Sequence, residues 1–161
     1  MLRIAFATSD RKTVNHHFGG TEGLILYDVS PGEARLLDFA AFPPAEKEGE
    51  VVRDGVTGTV QDKVLVKLEF VKGCHAVYAH SIGSSSTRRL MQLGVQPVIV
   101  KEGSEILDLL NEISLALARG GVAWIEKAKA KVEQEQRSNL TPTVNAAVAS
   151  NLSENSLEAA R

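Results

Sequence analysis

The hydrophobic period of this chain changes partway along, and that change limits the folds open to it. Up to residue 42 the apolar residues fall in short β-type runs: 2 to 8, 24 to 29, and Ala34 to Phe42. Ser30-Pro31-Gly32-Glu33 is a turn that joins the second and third runs as a hairpin. Beyond residue 58 the spacing turns helical. Val60, Val64, Leu68 and Val71 predict a helix that Gly73 ends, and the short run 75 to 80 predicts a strand. Ser84-Ser85-Ser86 offers caps for a helix through Leu90 and Leu93 that Gly94 closes. Gln96 to Val100 reads as a strand, and Ser104 as the cap of a helix striped by Ile106, Leu110, Ile113 and Leu117. The predicted order is β-β-β-α-β-α-β-α. An antiparallel start followed by αβ alternation implies an α/β fold, a mixed five-stranded sheet with helices on both faces.

This order resembles the ribonuclease H-like arrangement, with strand one central and the strand at 75–80 beside it and parallel. The expected division is a domain over residues 1–117, a charged helical appendage over 118–137 after the Gly120-Gly121 break, and a flexible tail over 138–161 poor in large apolar residues. Pro43-Pro44 and the charged stretch to Gly58 read as an exposed connection. Composition narrows function mainly by exclusion. A formal net charge of −2 and 5% aromatic residues argue against a nucleic-acid partner. No apolar run approaches the roughly 20 residues of a membrane span, and the N-terminus has no signal-peptide pattern, so a cytoplasmic protein is expected. A single cysteine excludes an internal disulfide and any multi-cysteine metal site within one chain.

In an open α/β sheet a ligand sits beyond the carboxyl ends of the strands, where the winding reverses. Here that point falls between strand one and the strand at 75–80. The loop after the first carries Ser9, Asp10, Asn15, His16 and His17; the loop after the second carries His80, Gly83 and Ser84. Asn15, His16, His17, His80 and Ser84 are therefore the candidate binding residues. His17 is the candidate metal ligand, because Phe18-Gly19-Gly20 permits close backbone approach there. His16 and His17 are adjacent and point apart in extended backbone. The serines at the helix start suit an anion or simply cap the helix. Cys74 beside His75 suggests a thiolate–imidazole pair, but it precedes the strand that His80 ends and is expected to be a buried structural residue near the opposite edge. The first strand carries no carboxylate for a two-metal nuclease, and no nucleophile elbow or His-Glu-x-x-His occurs, so catalysis is not expected.

Three stretches carry a family resemblance: Arg3-Ile4-Ala5-Phe6-Ala7-Thr8-Ser9-Asp10, Val14-Asn15-His16-His17-Phe18-Gly19-Gly20, and Leu90-Met91-Gln92-Leu93-Gly94-Val95-Gln96-Pro97. Together with Gly73-Cys74-His75-Ala76-Val77-Tyr78 they resemble the dinitrogenase iron–molybdenum cofactor biosynthesis family, the domain of NifX, NafY and the NifB C-terminus, over about residues 1 to 117. A stand-alone domain with a short extension most resembles its NifX branch. The resemblance implies a non-catalytic carrier of the iron–sulfur precursor clusters of the iron–molybdenum cofactor. Its partners would be the core-building enzyme and the scaffold of cofactor assembly, with apo-dinitrogenase as a further one. It also implies cluster binding at the histidine of the His-Phe-Gly element, which is His17. Two alternatives stay open: a NafY-like protein that stabilises apo-dinitrogenase and delivers cofactor, and a regulatory interaction module that binds no metal.

Overall fold

Alternation along the first strand decides how the layers stack. In the computed structural model, which describes residues 1–42 and 58–139, β1 (Leu2–Ala7) sends Leu2, Ile4 and Phe6 into one apolar cluster and Ala5 and Ala7 into another. A strand buried on both faces has to lie in the middle of a sheet. It does: the order is β4-β3-β1-β5-β6, with β3 (Gly23–Ser30) antiparallel to β1 and paired to β4 (Glu33–Ala41) as the expected hairpin. On the other side β5 (Ala76–Ala79) runs parallel to β1, with Ile4 opposite Ala76, and β6 (Gln96–Ile99) runs parallel to β5. This is the five-stranded, mixed, ribonuclease H-like sheet expected from the element order.

Helices cover both faces. α1 (Gly58–Val71) and α2 (Ser84–Gln92) supply Leu68, Val71 and Leu90 to the cluster around Ala5, while α3 (Ile106–Arg119) supplies Ile106, Leu110, Ile113 and Leu117 to the cluster around Phe6. Gly94, at φ +78°, ends α2: its amide donates to the Met91 carbonyl and that of Val95 to the Leu90 carbonyl. That pairing satisfies carbonyls the helix leaves open and brings Val95 back onto Leu90.

Two capping expectations fail by a single residue. The serines 84–86 form the first turn of α2 itself, so the cap position falls to Gly83, whose extended backbone carries no side-chain acceptor. Ser104 sits one residue too early for α3. It joins β7 (Ser104–Glu105), a two-residue strand against β2 (Thr13–Val14), and its hydroxyl donates to the Lys101 carbonyl at 2.6 Å. The charged helix expected after Gly120-Gly121 is α4, residues 123–139, and it packs on the core. Ile125 is 2% exposed within the Phe6 cluster, and Trp124, Ala128 and Val132 lie against it. Residues 138–139, the first two of the tail expected over 138–161, end α4 instead; the rest of that tail and the exposed connection expected over 43–57 lie outside the described residues. Among the described residues, no helix is long and apolar enough to cross a membrane.

Candidate functional site

The loop after β1 is tied together by one carboxylate. Asp10 Oδ1 accepts from the backbone N–H of Lys12 at 2.9 Å and of Thr13 at 2.8 Å, and from the Thr8 hydroxyl at 3.0 Å. The Thr13 hydroxyl donates to Oδ2 at 2.8 Å. These bonds, led by the Thr13 amide, hold the Asp10 carboxyl far below the usual carboxylate range. Asn15 closes a second ring. Its Oδ1 accepts the Ser9 N–H at 3.0 Å and its Nδ2 donates to the Ser9 hydroxyl at 2.9 Å. The Asn15 carboxamide is thereby engaged in shaping the loop.

The shaped loop then meets the loop after β5 through the main chain. The Phe18 N–H donates to the Ser81 carbonyl at 3.0 Å, and the His80 N–H to the His16 carbonyl at 3.1 Å. His17 and Ser81 form a parallel bridge. The buried Phe18 ring anchors the segment in the Ala5 cluster. As a result the His17 and His80 rings stand 6.2 Å apart between centroids, edge to face at 77°. His16 turns the other way, its Nε2 4.0 Å from the Glu22 carboxylate. Adjacent histidines in extended backbone do diverge here, and His17 is the one beside His80.

His17 lies against Gly20. A Cβ built on Gly20 would come within 2.3 Å of His17 Nε2, so any side chain there would displace the ring. Although His17 is exposed as a residue, this cover desolvates its imidazole, and the positive fields of His80, His16 and Lys67 add to the effect. All push its pKa below the ordinary imidazole value, which favours the neutral ring whose lone pair a metal ion takes. Ser84 is exposed on the first turn of α2, with no side-chain cap bond. What the fold brings together is therefore a pair of imidazoles, His17 and His80, with the His16 ring near Glu22.

Lys67 is the residue that sequence reading missed. It comes from α1, is 5% exposed, and donates from Nζ to the Gly19 carbonyl at 2.6 Å, with the Phe42 ring centroid 5.5 Å away. The signal was present: Lys67 stands three residues after Val64 and four before Val71, on the apolar stripe itself. Among the described residues, no three or more His, Cys, Asp or Glu side chains gather as a metal-holding group. Cys74 is 4% exposed at the opposite end of β5, and burial pushes its thiol up to about 12. Such a thiol is not a ready thiolate at neutral pH.

Comparison with known proteins adds the family. The family model described as dinitrogenase iron-molybdenum cofactor matches residues 1–115, which spans both histidine loops. The chain is 37% identical over 128 residues to protein NifX of Azotobacter vinelandii, covering 80% of this chain and 75% of that one. It is 28% identical over 133 residues to protein NifX of Herbaspirillum seropedicae, covering 83% of this chain and 85% of that one. The FeMo cofactor biosynthesis protein NifB of Azotobacter vinelandii is 25% identical over 116 residues, 72% of this chain but 21% of that much longer one. The match over residues 1–115 and the 37% identity to a NifX protein leave one conclusion, that this chain belongs to the dinitrogenase iron-molybdenum cofactor family.

Proposed function

We propose that this chain is a carrier for iron–sulfur precursors of the iron–molybdenum cofactor, holding them at His17 with His80 alongside. A role in making that cofactor is supported by the family and by relatives named NifX and NifB. The observation that carries the finer reading is the main-chain clasp between the two loops, which sets two imidazoles 6.2 Å apart at the carboxyl ends of β1 and β5. A carrier has to release what it holds. Two imidazoles leave most of a cluster's coordination to exchangeable ligands, so an incoming thiolate donor on an acceptor protein can displace them. The buried Lys67 beneath Gly19 adds positive field under an anionic cargo. The role is one of custody rather than catalysis, exercised in the cytoplasm between the enzyme that builds the cofactor core and the scaffold that completes it, with apo-dinitrogenase as a further partner.

Anaerobic loading with isolated precursor cluster tests the reading. His17→Ala is expected to weaken retention by about tenfold or more, since even 1.4 kcal/mol of lost ligation has that effect. His16→Ala, whose ring faces Glu22, is expected to retain cluster like the parent chain. Equal retention by the parent and His17→Ala overturns the assignment.

A further inference from the structure

A cleft lies at the other end of the parallel strands, where β5 and β6 begin. Its volume is about 250 Å³. The α2–β6 turn forms one wall with Met91, Gly94 and Val95; His75 and Gln96 stand at the strand starts; and α4 forms the opposite wall with Trp124, Lys127 and Lys131. Three separate parts of the chain thus converge on it.

We propose that this cleft binds a small organic anion, a carboxylate carried on an apolar body. The positive side of the cleft is built by helix geometry, because Lys127 and Lys131 are four residues apart and so share one face of α4. Lys131 reaches across to the α2–β6 turn: a Cβ added to Gly94 would meet its Nζ at 3.3 Å. The bare Gly94 backbone that ends α2 therefore also leaves space for the ammonium. His75 contributes a donor of fixed identity. Its Nδ1 accepts the Arg3 N–H at 2.8 Å, so the proton of the neutral ring resides on Nε2. Glu135 is near enough to act electrostatically on His75, but it does not line the cleft. The apolar side is held still, since the Trp124 ring packs edge-on to Tyr78 at 6.3 Å and Val95 is buried. Two ammonium groups and an N–H donor around an aromatic and aliphatic floor match an anion with an apolar body. They match neither a free inorganic anion nor a neutral hydrocarbon.

Trp124 is the only tryptophan in the chain, so its emission reads occupancy of the cleft directly. Benzoate serves as the probe and benzyl alcohol as its uncharged counterpart, titrated into the full chain. Benzoate is expected to change the emission saturably, and benzyl alcohol is not. Replacing both exposed lysines, Lys127→Gln with Lys131→Gln, is expected to weaken benzoate by about fivefold, the worth of roughly 1 kcal/mol of screened charge. His17→Ala is expected to bind benzoate like the parent chain, which separates this site from the cargo site. No saturable response to benzoate, an equal response to benzyl alcohol, or undiminished affinity in the folded double variant overturns the proposal. Saturation by a hexaglutamate peptide but not by benzoate also overturns it and makes the cleft a docking surface for acidic protein.

Discussion

Gly20 illustrates how a residue without a side chain sets the chemistry of its neighbour. Its bare Cα is what lets the His17 ring fold down beside His80, whereas nothing lies within 4 Å of a Cβ placed on Gly19. Gly20→Ala is therefore expected to push the imidazole off its seat and lower cluster loading, while Gly19→Ala loads normally. Because the displaced group is the free end of an exposed side chain, Gly20→Ala is expected to stay within about 0.5 kcal/mol of the parent in a urea unfolding curve. Loading of both variants at the parental level would show that the ring's seat does not matter. At this scale the sequence was legible where chemistry follows from position. His17 and His80 could be placed because each lies in a loop that follows a strand beside the reversal of winding. The engagement of Asn15 with Ser9 and the reach of Lys67 to Gly19 were not legible, because both depend on how the loop folds over α1.

At the scale of elements, α4 shows a pattern overlooked under its charge. Trp124, Ala128 and Val132 recur every four residues and Ile125 stands beside the first, which is an amphipathic stripe among Lys, Glu and Gln. Ile125→Ala is expected to cost about 2–4 kcal/mol, because the Phe6 cluster cannot close over the lost volume. The exposed Leu107→Ala on α3 is expected to change stability little. Urea midpoints for the two variants check this; a near-neutral Ile125→Ala would mean that α4 is dispensable to the core. The strands and the long helices were legible from their periods, and Gly73 and Gly94 from the left-handed backbone that ends a helix. The paired strands β2 and β7 were not, since two residues carry no period. The caps of α2 and α3 were misplaced because the backbone puts Gly83 and Glu105, neither of them making a side-chain cap bond, at the positions the nearby serines were expected to hold.

Across the whole molecule, the central strand β1 separates the two edges at which binding is proposed. The histidine pair lies beyond its carboxyl end, and the cleft under α4 lies near its start, where His75 bonds to both the N–H and the carbonyl of Arg3. Between them runs a strand whose Ile4, Ala5, Phe6 and Ala7 are fully buried, a tightly packed interior that keeps the two edges apart. The loop clasp has a consequence in time. The amide hydrogens of Phe18 and His80 are shielded only while the two loops stay joined, so both exchange with deuterated water through one opening. In the cargo-free chain their protection is expected to be alike and lower than that of the β1–β3 ladder. Cargo spanning His17 and His80 is expected to raise both by one common factor, measurable by amide exchange. Unequal protection would mean that the loops fray independently. With common protection, the two loops part in a single event, and on the proposed carrier reading that event is the door through which a cargo would leave.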